Sequence, residues 1–256
     1  MEYNIRFNFA AAAALVTLAA IVGAISSTVV ASRAYVARGE QSLKAEQIIT
    51  VKGSTRKRIR SDQAVWDISV RGEDKELKAA FGILDQSVTR VRQFLDQQGF
   101  KAGEIGMSSI STIEHHVRDA KGNETREISG YSLVRGFTVT TTDVDRVARA
   151  AGEVTQLIQE GILVFSCSPA YYYSDLAKLK VELMADAAKD ARARADNIAN
   201  ETGCRVAEVR SAQMGVLQVT QPLSTEVTDW GTYDTSTIDK DVQVVVTVKF
   251  RIESGG

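Results

Sequence analysis

The chain has 256 residues, 44% of them hydrophobic and 25% charged, which is too apolar for a disordered protein and ordinary for a folded one. Its 31 Lys and Arg nearly balance 32 Asp and Glu, so no global field draws it to nucleic acid. Two cysteines, Cys167 and Cys204, are too few and too far apart for a zinc knuckle or a disulfide scaffold, although they allow one disulfide in an oxidising compartment.

The chain opens with a short tail, residues 1–6, and then runs from Phe7 to Ser32 without a charge. A helix of about 20 apolar residues crosses the hydrocarbon core of a bilayer. The apolar region of a cleavable signal peptide is shorter, about 7–15 residues. The length therefore predicts a retained transmembrane signal anchor over 7–32. The alternative is a signal peptide cut after the small residues Val29 and Ala31. Ala19, Gly23 and Ser27 recur at four-residue spacing, a small-residue stripe that lets membrane helices approach closely. Arg6 precedes the span and Arg33 and Arg38 follow it, so local charge does not orient it. A short tail before a long folded domain is the layout of a signal anchor with the domain outside the cytoplasm. Residues 33–47 are polar and read as a stalk, and the folded domain is expected over 48–256.

Strands in that domain show as alternation. Ala64, Trp66, Ile68 and Val70 share one face, and Val242, Val244, Val246, Val248, Phe250 and Ile252 share another. A third strand spans Tyr131 to Thr141, paired through a turn at Ala120 to Glu124 with the strand that carries the two histidines. Helices show the other period. Leu77, Phe81, Leu84, Val88, Val91 and Leu95 form one stripe, with Gly99 near its end. Val144, Val147, Ala151, Val154 and Ile158 form a second, with Thr142 as the expected N-cap. A third helix follows Ser174 and ends at Gly203, its stripe running Leu176, Leu179, Leu183, Ala187, Ala191 and Ile198. Its outer face carries Asp190–Arg194 and Arg192–Asp196 at the favourable i, i+4 spacing. Hairpins segregated from helices predict an α+β domain, an antiparallel sheet covered by three helices. Residues 221–241 form a long loop carrying Trp230 and Tyr233. Aromatic residues there either anchor a partner or fold back over the core.

Chemical motifs are sparse. His115 and His116 follow Glu114, but adjacent strand residues point to opposite faces and no third ligand is evident. They read as surface residues of a strand. There is no nucleophile elbow, phosphate loop or dinucleotide fingerprint. Cys167 reads as a small packed residue on the face of Leu163 and Phe165. Arg56, Lys57, Arg58 and Arg60 form a basic cluster that fits either phosphate groups or the charged end of an edge strand. The reading is thus of no enzyme, no cofactor and no metal.

Four stretches carry a resemblance: "ITVKGSTRKRIRSDQAVWDISVRGED", "ISGYSLVRGFTVTTTDVDRV", "MADAAKDARARADNIANETGCRVAEV" and "DVQVVVTVKFRIE". In order and spacing, from about Ile48 to Glu253, they resemble the SIMPL-domain family of bacterial envelope proteins. Ser61-Asp62 stands where that family commonly has Pro-Asp, and Ala207 where a glycine is frequent. The resemblance implies an exported α+β domain, members able to form oligomers, no established activity and no catalytic residue to carry over. The expectation is a single-pass protein of the bacterial inner membrane with its domain in the periplasm. It would act as a homo-oligomeric scaffold or binding protein whose copies join through sheet edges and the Trp230 loop, the contact residues being Trp230 and Tyr233 together with the Ala19/Gly23/Ser27 helix face. The alternative is a monomeric binding module for a lipid, a peptide or an envelope protein, using the basic cluster or Tyr171, Tyr172 and Tyr173.

Overall fold

The computed structural model describes residues 23, 27–36 and 47–254. Most of the anchor expected at 7–32, Ala19 included, lies outside them. Gly23 and residues 27–36 are helical and exposed. No helix among the described residues is long and apolar enough to cross a membrane.

The chain divides into two compact units. The larger spans Gly53–Asp190 and Met214–Val246. It is built on a six-stranded antiparallel sheet of β2 (Gln63–Asp74), β3 (Ile105–Met107), β4 (Ser111–Arg118), β5 (Glu124–Thr141), β6 (Leu163–Ser166) and β7 (Ala170–Tyr172). β2 pairs with β5 from Ala64↔Thr141 to Asp74↔Tyr131, and β6 and β7 share its other edge. β3 and β4 share the outer edge of β5. The alternation read from the sequence holds: Ala64, Trp66, Ile68 and Val70 are all buried. Trp66 satisfies its buried ring N–H by donating to Ser166 Oγ at 2.9 Å.

α1 (Leu77–Gln97) covers that face. Its stripe differs at the start from the one expected. Leu77 and Phe81 are each 47% exposed, while Ala80, Ser87 and Phe94 are buried beside Leu84, Val88, Val91 and Leu95. The cause is Gly72 on β2. A methyl group there would lie 2.4 Å from the Ala80 carbonyl oxygen and 2.6 Å from the Leu84 nitrogen. The helix backbone rests directly on the strand at that point, so the 80, 87, 94 row turns inward and Leu77 and Phe81 turn out. Gly99 closes the helix at φ 82°.

α2 (Val144–Glu153) is capped by Asp143, not Thr142; Asp143 Oδ1 accepts the Arg146 amide at 3.0 Å. The helix stops at Glu153 and a single turn, α3 (Gln156–Gln159), follows. That break directs Leu157 inward and leaves Ile158 exposed, against the stripe expected from the sequence. Ala150, rather than Ala151, is the buried alanine.

α4 (Leu176–Glu201) runs through both units. Leu179, Leu183, Ala187, Ala191, Ala195 and Ala199 are buried and Ile198 is half exposed. The buried row follows strict i, i+4 spacing, a ridge inclined about 26° to the helix axis. Such a ridge drifts off the straight stripe that would have placed Ile198 inside. In the larger unit α4 meets β1 (Ile48–Arg60): Asp190 accepts the Ser54 amide and Glu182 pairs with Lys57, both at 2.8 Å. β1, β11 (Asp239–Ser254), β9 (Gln218–Thr220) and β10 (Thr232–Tyr233) follow one another in a second sheet. β9 and β11 are antiparallel, and β9 and β10 are parallel. The smaller unit holds the described residues up to Lys52, Ala191–Gln213 and Thr247 onward. There β8 (Cys204–Met214) pairs with β11. Arg192 reaches Asp196 at 3.0 Å, donates to the Val206 and Ala207 carbonyls and lies over the Phe250 ring.

Gly72→Ala is expected to lower unfolding stability by about 1–3 kcal/mol or more through overpacking. Gly152→Ala, in a helix with nothing within 4 Å of the added carbon, is expected to raise it by about 0.4–1 kcal/mol. Denaturant unfolding of the two variants checks the contrast.

Candidate functional site

The basic cluster lies along β1, and three of its four members pair with carboxylates on the spot. Lys57 pairs with Glu182. Arg58 grips Asp241 with two bonds of 2.9 and 3.1 Å. Arg60 grips Asp145 at 2.6 and 2.7 Å and lies 3.5 Å from Asp239. Arg56 donates to the neutral Gln243 side chain. These bonds tie β1 to its sheet neighbour β11 and to two helices, and they oppose a role as a phosphate cradle.

The histidines diverge, as strand neighbours must. Nε2 of His115 lies 2.6 Å from Ser132 Oγ, and that hydroxyl donates to Glu73 Oε1 at 2.8 Å. Ser132 has one proton and gives it to a carboxylate, so His115 must be the donor from Nε2. The Ser132 bond, then Arg71, hold the Glu73 carboxyl below its ordinary range. Serine sits between histidine and acid, whereas a nucleophilic relay needs histidine in the middle. Ser132 is also only 1% exposed. This arrangement pins β4 to β5 and β2 and activates no nucleophile. His116 is half-buried, with Nδ1 lacking a partner. Among the described residues no group of three His, Cys, Asp or Glu is placed to hold a metal ion.

Leu163, Phe165 and Cys167 are exposed rather than packed. The register explains the difference. Val164 and Ser166 lie opposite Val70 and Ile68, on the helix side; Leu163 and Phe165 lie opposite Arg71 and Ser69, on the open side. The Arg71 guanidinium sits over the Phe165 ring at 4.9 Å. Cys167 and Cys204 are both free thiols.

The 221–241 segment is the most built region. It is shorter than read from the sequence, since β10 interrupts it and β11 already begins at Asp239. Its base holds a residue that composition concealed: Lys240 is fully buried. The Lys240 ammonium reaches Asp234 Oδ2 at 3.2 Å and the Thr237 carbonyl at 2.5 Å. Burial lowers the Lys240 pKa despite the partner. Asp234 also loses solvent, yet bonds from Thr237, Ser236 and Lys240 hold its carboxyl far below the usual range. Asp241 anchors the other side, accepting the Leu223 amide at 3.2 Å as well as Arg58. The Gln218 amide donates to the Thr228 carbonyl at 2.6 Å. Gly231, at φ 87°, packs where a methyl group would lie 2.9 Å from the Leu217 carbonyl oxygen.

This tied loop presents apolar side chains to water. Trp230 is 94% exposed, Leu223 83% and Val227 71%. Of the two readings left open by the sequence, folding back over the core does not occur for Trp230. Tyr233 differs: it stacks on Tyr172 with ring centroids 6.4 Å apart, while Tyr171 is buried. Beside them lies an open polar cavity of about 540 Å³ lined by Thr220, Ser224, Thr225, Glu226, Thr232 and Asp234, among others.

Compared with known families, the chain matches the profile of SIMPL, described as a protein of unknown function (DUF541), over residues 49–250. The chain belongs to the SIMPL family. The match takes in α1 to α4 and all but the outermost residues of β1 and β11, so the SIMPL domain spans both sheets. The family carries no assigned activity, and no curated protein matches the chain.

Lys240→Met removes the charge partner of half-buried Asp234, which keeps its bonds from Ser236 and Thr237, so it is expected to cost about 1–3 kcal/mol. The pH dependence follows from the carboxylates. The folded pKa values of Asp234, Asp241, Glu73 and Glu104 are lowered, and that of Glu208 is held down to about 2 by Arg251. Groups with depressed folded pKa values contribute stability above their unfolded values, which is lost as pH falls. The thermal midpoint is expected to hold steady from pH 7 to about 5 and to fall below about 4.

Proposed function

We propose that this SIMPL domain is a non-catalytic assembly module of the bacterial cell envelope, tethered to the inner membrane by residues 7–32 with the domain in the periplasm. Copies join through the Trp230 loop, and the Ala19/Gly23/Ser27 stripe adds helix contacts within the membrane. One observation carries this reading: Leu223, Val227 and Trp230 stand in water on a loop whose base is locked by Lys240, Asp234, Asp241 and Gln218. A locked base reduces the ordering cost on association, and exposed tryptophan is the side chain most enriched among interface anchors. Tyr233 supports the loop from below through Tyr172. The 540 Å³ cavity favours the alternative, a monomeric module that holds a small polar ligand.

The test is absolute mass by light scattering, on the full-length chain in detergent and on a version starting at Ala45. A defined oligomer from both supports assembly through the domain. An oligomer from the full-length chain alone assigns assembly to the membrane helix. Monomers from both overturn the proposal and leave the ligand-binding reading. Trp230→Ser is expected to lower the oligomer mass with an unchanged thermal midpoint, and Tyr233→Ser to lower both.

A further inference from the structure

We propose that β4 is an open edge at which two copies of this chain pair antiparallel, centred on His115; this rests on the self-assembly reading above and names a second contact for it. Among the described residues β4 pairs only with β5, so its outer row of backbone groups has no strand partner. The β2–β5 ladder stops at Asp74↔Tyr131, yet β5 begins at Glu124. Everything from His115 round the turn to Gly130 is therefore a two-stranded arm outside the sheet proper, and most of its side chains are exposed. A ribbon of two strands is at best marginally stable alone in water. A third strand would supply the missing ladder.

Natural edges avoid such pairing with bulges, prolines or charged side chains. β4 carries no proline or lysine, and its two charged side chains, Glu114 and Arg118, are opposite in sign. The ladder does contain irregularities, but the register steps from His115↔Gly130 to His116↔Ile128 and on to Arg118↔Glu124. The extra residues thus fall in β5, and β4 itself stays regular. Its tip is stiffened by Asp119, which accepts the Lys121 and Asn123 amides at 2.8 and 2.9 Å.

The side chains select the register. With two β4 strands antiparallel about His115, Glu114 lies opposite His116 of the second copy, Ile113 opposite Val117 and Thr112 opposite Arg118. Acid meets base and one β-branched apolar side chain meets another, the pairs that stabilise antiparallel ladders. Centring on His116 instead matches Glu114 with Arg118 but sets Ile113 against Asp119. Centring between Glu114 and His115 sets Ile113 against His116. Only the His115 register pairs both the charges and the apolar residues. The contact is isologous, so it closes as a dimer. Ile113, 45% exposed in the single chain, would be covered by it.

The experiment uses the full-length chain in detergent, with Cys167→Ser and Cys204→Ser to remove the native thiols. Under mild oxidation, His115→Cys is expected to form a covalent dimer, because the residue faces itself. Ile113→Cys and Val117→Cys are each expected to stay monomeric on a denaturing gel and to cross-link when mixed. Like residues there would lie four positions apart, about 13 Å along the strand. Ile113→Lys is expected to reduce the light-scattering mass at least twofold with an unchanged circular dichroism spectrum. An oligomer that is indifferent to Ile113→Lys and yields no His115→Cys dimer overturns the β4 contact and leaves the Trp230 contact standing. A chain that is monomeric throughout overturns both.

Discussion

The backbone of α1 lies against β2 at Gly72, where one added carbon would sit 2.4 Å from the Ala80 carbonyl oxygen. β2 is the strand that joins the two edges of its sheet, with β5 along one side and β6 and β7 along the other. Seating the helix this low turns Ala80, Ser87 and Phe94 into the core and brings Trp66, Ile68 and Phe137 within one packed layer. The opposite face of β2 is left to polar residues, and Arg71, Glu73 and Ser132 link across it. The position of the His115 bond, and hence of the β4 arm, follows from where that strand stands.

Charge is organised locally rather than globally. A nearly neutral total conceals a row of basic residues on β1 whose carboxylate partners come from β11 and two helices, and from different parts of the chain. Surface pairs of this kind are individually worth little, about 0–1 kcal/mol. Asp241 is the exception in kind: its side chain is almost fully buried and holds both Arg58 and the Leu223 amide. With Lys240 and Asp234 it converts a long connection into a shaped platform.

Period was the legible part of the sequence. The alternation in β2 and β11 and the helical spacing in α1 and α4 name most of the buried residues, because burial is set by face and face by period. What it missed has three-dimensional causes. Phe81 and Ile198 lie near apolar stripes, yet the seat at Gly72 and the inclined ridge of α4 decide which face is covered. Leu163 and Phe165 alternate properly, but only the pairing with Arg71 and Ser69 tells which side is open. A lysine in "IDKD" gives no local sign of burial, since its partner Asp234 and the Thr237 carbonyl are brought to it by the turn. Trp230 was visible as a loop aromatic; its exposure depended on the bonds beneath it. Sheet edges were expected as contacts, but which strand forms the open edge was not legible, because strand order is a property of topology and not of composition.

The arm formed by β4 and the start of β5 shares no core with the sheet from which it extends. None of its residues joins the core cluster around Trp66; His115 ties it to Ser132 at its base, and its tip is closed by bonds within five residues of chain. Away from His115, substitutions there are expected to leave the free energy of the packed layer almost untouched. Under the β4 contact proposed above, recognition and folding are written in separate parts of the chain. On that contact, a handful of changes between Thr112 and Arg118 would be enough to make two otherwise identical copies ignore each other, so duplicated forms of this protein would diverge in company kept without first being stabilised to survive the change.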